Sequence, residues 1–231
     1  MPSSWQWWLQ SDAGLLARVL IGMAIFTAFA VVDLCRHGRQ AHRWREYLFL
    51  LVAVAAAMAY GVLNDVLTSS ISWEYFYFGK GLDETLGQQV PPNMPALRWQ
   101  AALVGLKATW TAGLIIGVAL LIANNPRRNR PQLPYRSLYR LLPLVILATA
   151  AFAAITGFAG YRGWLVGLSS DMQSIATDPL FGPARFMCVW GIHLGGYVGG
   201  AIATAAAVIW IVRARRIASP AIAHRPATPV R

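Results

Sequence analysis

The chain reads as an all-α integral membrane bundle of five transmembrane helices, and three observations predict that class. Hydrophobic residues fill 57% of the 231 positions, mean hydropathy is +0.47, and only 13% of positions carry charge. That is about half the charged share of a globular domain, too little to cover a soluble surface. Five windows are apolar over the roughly 20 helical residues needed to cross a bilayer core. The basic residues also fall in alternate connectors, as the positive-inside rule requires. Composition thus excludes disorder, a disulfide scaffold and most cytosolic folds.

The five spans are expected over residues 14–34, 47–67, 101–123, 138–160 and 186–212. The first resembles a secretory leader, because Ala-Phe-Ala at 28–30 mimics a cleavage site. No basic stretch precedes it, however, and Arg18 interrupts it, so it reads as a retained anchor. Trp5, Trp7 and Trp8 just before it fit an interfacial aromatic belt. The remaining windows are interrupted by Asp65 in the second, Lys107 in the third, Arg140 at the start of the fourth and His193 in the fifth.

Of the twenty basic residues, fourteen lie after spans one, three and five. They include Arg36, Arg39, Arg43 and Arg45, then Arg127 to Arg140, then Arg213, Arg215 and Arg216. Seven of the nine acids fall in or near the opposite side. The expected topology has the N-terminus outside and the C-terminus in the cytoplasm, in a plasma or bacterial-type inner membrane. Residues 1–216 form one transmembrane domain, and 217–231 a cytoplasmic tail. The net charge of +11 is therefore a topology signal rather than a nucleic-acid footprint. The expected partners are the bilayer, anionic lipid headgroups at the cytoplasmic arginine clusters, and a membrane-protein partner or a second copy. Nucleic acid is not among them. Cys35 and Cys188 belong on opposite faces and cannot pair within one chain.

The outer connectors, 68–100 and 161–185, are longer than ordinary turns. The first holds Ser-Trp-Glu-Tyr-Phe-Tyr-Phe at 72–78, whose aromatics predict a re-entrant or interfacial segment, and Pro91 to Pro95 resets the chain before span three.

Ionisable groups inside spans are expensive and need a partner or a purpose. Arg18, Asn64, Asp65, Lys107 and His193 all fall in the expected outer half, whereas the inner half offers only Asp33. Span five also carries two small-residue stripes, Gly191–Gly195–Gly199 and Gly196–Gly200, predicting close helix packing. His193 and Tyr197, four apart, share a face.

These residues predict an outward-facing polar pocket built from Asn64, Asp65, Glu74, Lys107, His193 and Tyr197. Such a pocket would bind a small molecule, a lipid or a metal, or carry out catalysis. Asp65, Glu74 and His193 form a mixed oxygen and nitrogen set that suits a divalent transition metal such as Mn, Fe or Zn. Against a metal stands the lone histidine, without an HxxxH or ExxH spacing. Two other readings compete, a non-catalytic accessory subunit and a small-solute or proton transporter. A purely structural role, with Lys107 pairing Asp65 and fixing helix register, competes with all of them.

The stretch Tyr60 to Leu82 resembles a motif of small bacterial multi-span membrane proteins. In that motif a His-Asp-Gln-like triplet ends a span and a Glu-Tyr-Phe core follows. Here Asp65, Glu74, Tyr75 and Phe76 match, and Asn64 stands in the place of the histidine. The resemblance covers about a tenth of the chain. It implies no activity, but it adds weight to Asp65 and Glu74 as functional residues.

Overall fold

The computed structural model describes residues 11–41, 43–87, 89–126, 130–168 and 181–223. Five long helices carry the fold, each long and apolar enough to cross a membrane, and no strand occurs among the described residues. They are α1 (Asp12–His37), α2 (Trp44–Ile71), α5 (Met94–Ala123), α6 (Tyr135–Tyr161) and α7 (Pro183–Ala223). Two short helices, α3 (Trp73–Tyr77) and α4 (Asp83–Leu86), lie between α2 and α5. Trp5, Trp7 and Trp8 lie outside the described residues.

Most long helices overrun the expected spans, because polar capping residues extend the helix beyond the apolar window. Ser11 starts α1 by accepting the Gly14 N–H at 3.0 Å, and Gly38 ends it at φ +51°. Asn93 starts α5 by accepting the Ala96 N–H at 3.1 Å, with Pro95 inside the first turn. The α7 helix runs through residues 217–223, which the sequence assigns to a tail. At 1.5 Å per residue it is about 60 Å long and outreaches any bilayer core.

The long helices form two tight pairs, α2 with α5 and α6 with α7, and glycine makes both pairings possible. Gly61 and Gly105 lie back to back, so a methyl on either would strike the other's carbonyl. Gly113 seats on Ala53 and Ala57 further along the same seam. In the second pair, Gly191 rests on the Thr156 carbonyl, Gly195 on the Thr156 side chain and Phe152 carbonyl, and Gly199 on the Phe152 ring. Lipid offers no hydrophobic drive to bring helices together, so this backbone proximity supplies the van der Waals fit. Helix α1 is peripheral, with 6% of its apolar window buried and Phe26 and Phe29 set against Tyr47 of α2.

Two apolar clusters cap the ends of the bundle. Phe49, Leu120, Leu138, Leu142 and Ile211 pack at one end, and Tyr75, Phe76, Tyr77, Leu97 and Phe186 at the other. The first end is also tied by polar groups. Asp33, the lone inner-half acid, accepts the Trp44 N–H at 2.9 Å and pairs with His37 at 3.0 Å, joining α1 to α2. Arg215 of α7 is 3% exposed and reads in sequence as one more topology charge. Its guanidinium donates to the carbonyls of Ala123, Asn125, Arg130 and Pro131 at 2.5–3.1 Å. Asn124 exchanges two hydrogen bonds with Leu133. The connector from α5 to α6 is therefore clamped to α7 rather than being a simple turn.

Candidate functional site

The two helix pairs do not close against each other along their whole length. Between them lies a cavity of about 510 Å³, walled by α2, α5, α6 and α7. On α5 its lining runs from Val104 to Ile116, and on α7 from Ile192 to Ala205. At 1.5 Å per residue it is roughly 18–20 Å long. Ile115 on α5 and Tyr197 on α7 both line it and are 67% and 60% exposed. The cavity is thus open at these side chains rather than sealed.

Its walls are more apolar than their residue types suggest. Thr109, Thr149 and Thr204 each donate to the carbonyl four residues back, at 2.7–2.8 Å. Their protons are spent within their own helices. Gly196 and Gly200 also line this space. A methyl on Gly196 would meet only the Tyr60 hydroxyl at 3.9 Å, and one on Gly200 only Thr149, from 3.5 Å. The second glycine stripe therefore widens the cavity instead of seating a helix, contrary to the packing role expected for it.

Polar groups gather at one end. Asp65 is 3% exposed and accepts from the Asn64 amide at 3.0 Å. The His193 Nε2 lies 3.7 Å from Asp65 Oδ1, beyond hydrogen-bond length, and has no hydrogen-bond partner. The imidazole is gripped by aromatic rings, parallel to Tyr75 at 4.8 Å and edge-on to Phe76 at 5.9 Å. On Tyr75 also sits the Lys80 ammonium, 5.3 Å from the ring centre. Tyr60 and Tyr197 line the same cavity.

Of the six residues expected to form a pocket, Asn64, Asp65, His193 and Tyr197 line this cavity. Glu74 does not. It is fully buried, accepting the Ser72 hydroxyl at 2.7 Å and the Gly182 N–H at 3.2 Å. Ser72 in turn caps α3 by accepting the Tyr75 N–H at 3.3 Å. The carboxylate therefore braces the fold-back of α3, which carries Tyr75 and Phe76 onto His193. No group of three His, Cys, Asp or Glu side chains among the described residues is placed to hold a metal, so Asp65, Glu74 and His193 do not form the expected ligand set. Lys107 is absent from the lining, and the lysine that lines the cavity with Asp65 and His193 is Lys80.

Sequence reading missed Tyr60 and Lys80. Tyr60 carried a usable signal, since residues 57, 60, 61, 64 and 65 recur on one helical face. Lys80 carried none, because only the α3 fold-back brings it to the cavity.

No family model, curated protein or solved structure matches the chain.

Proposed function

We propose that this chain is a multi-pass membrane protein that binds a single-chain amphipathic molecule in the cavity between its two helix pairs. The chain enters sideways from the bilayer between α5 and α7, and the polar end meets Asp65 and His193. In this reading the site faces outward in a plasma or bacterial-type inner membrane, with the arginine-rich ends in the cytoplasm. The observation that supports it is the cavity's division into a long apolar shaft and one polar end. Its volume lies within the range of small-molecule sites. Entry from the side suits a ligand delivered by lipid rather than by water.

The test is native mass spectrometry of the purified protein, comparing wild type with Gly200→Phe. Gly200 lines the shaft and a Cβ there meets only the Thr149 side chain within 4 Å, so the ring is expected to fill the shaft. Wild type is expected to carry a lipid-sized adduct that Gly200→Phe lacks while melting normally. Equal adducts in both proteins, or none after incubation with single-chain lipids, would contradict the proposal.

A further inference from the structure

The polar end of the cavity also restricts which head group it accepts, an inference that rests on the amphiphile reading above. Two charged side chains border it. Asp65 is buried at the end of the shaft, and Lys80 is exposed and lines the same space. A carboxylate or phosphate head entering deeply would confront the Asp65 carboxylate. An ammonium head would confront Lys80 on the way in. The aromatic face that would best hold a quaternary ammonium belongs to Tyr75. That ring already carries His193 at 4.8 Å and Lys80 at 5.3 Å.

What the site does offer is unmet hydrogen-bonding capacity of both signs. Nε2 of His193 has no hydrogen-bond partner and lies 3.7 Å from Asp65 Oδ1, and both side chains border the cavity. A hydroxyl between them can donate to the carboxylate and accept from a protonated Nε2. The phenols of Tyr60 and Tyr197 line the same space and bring donors. An uncharged hydroxyl is the head group that both donates and accepts at such a site without opposing either charge.

We infer that the ligand is a long-chain alcohol or another hydroxyl-headed lipid, its hydroxyl donating to Asp65 and accepting from His193 Nε2 or a tyrosine phenol.

The experiment displaces a fluorescent single-chain probe from nanodisc-embedded protein with hexadecanol, palmitic acid, hexadecylamine and hexadecane. Hexadecanol should compete at about tenfold lower concentration than the other three, the worth of one or two hydrogen bonds in a buried site. In Asp65→Asn and Tyr60→Phe that preference should shrink toward the hexadecane value, while hexadecane itself competes as before. If hexadecanol and hexadecane compete equally, or if the acid or the amine wins, the head-group inference fails and the cavity reading stands. If nothing displaces the probe, or the probe binds Gly200→Phe as well as wild type, the cavity reading itself fails.

Discussion

His193 on α7 and Asp65 on α2 face each other across the gap between the helix pairs, Nε2 to Oδ1 at 3.7 Å. No described group is within hydrogen-bond length of that nitrogen. Such a pair in an apolar bundle is costly unless it serves a purpose. The fold invests in it by wrapping α3 around the imidazole, with Glu74 bracing the wrap from behind.

That bracing role yields the first prediction. Glu74→Ala strands the Ser72 hydroxyl and the Gly182 N–H in a buried site, at a cost of about 2 kcal/mol. Glu74→Gln keeps a carbonyl acceptor and should lose less. Thermal unfolding in detergent reads both, and equal melting of Glu74→Ala and wild type would remove the brace from the account.

The two glycine stripes of α7 should respond in opposite ways. Gly195→Ala drives a methyl into the Thr156 side chain and Phe152 carbonyl, and should destabilise by about 1–3 kcal/mol. Gly200→Ala meets only Thr149, from 3.5 Å, and should be neutral or gain up to about 1 kcal/mol from helix propensity. Paired melting curves check this. Similar losses in both would place Gly200 at a helix contact.

Arg215 is a third case. Truncation to Met leaves four backbone carbonyls, including the last one of α5, without their shared donor. The expected cost is about 2–4 kcal/mol, with faster proteolysis of the α5–α6 connector. Arg216→Met, at an exposed neighbour, is the control and should be nearly silent. Matching behaviour of the two would reduce Arg215 to a topology charge.

Orientation is tested by membrane-impermeant thiol labelling of intact cells. A cysteine at Glu84 should react and one at Arg136 should not, in a background lacking Cys35 and Cys188. The reverse pattern would turn the polar end toward the cytoplasm.

The spans were legible in the sequence because burying about 20 apolar residues in lipid dominates every local preference. Asp65 and His193 were legible for the converse reason, as polar groups standing out of apolar runs. Glu74 misled because a carboxylate near a polar cluster looks the same in sequence whether it binds a ligand or caps a turn. Only the structure shows its oxygens occupied by Ser72 and Gly182. The two stripes of α7 misled similarly. Four-residue spacing identifies a small-residue face, but it does not say whether a helix or a cavity lies opposite. Lys80 was hidden because its place depends on the α3 fold-back, a tertiary event without local periodicity.

The most direct test of the central claim is photo-cross-linking with two single-chain alcohols, one bearing its diazirine beside the hydroxyl and one at the chain terminus. Peptide mapping should place the first label on α2 and α7 around Asn64 and His193. The terminal label should fall at the other end of the shaft, around Ile116, Val145 and Ala205. Labels from both probes spread alike over the exposed face of α1, with none in the shaft, would contradict the account.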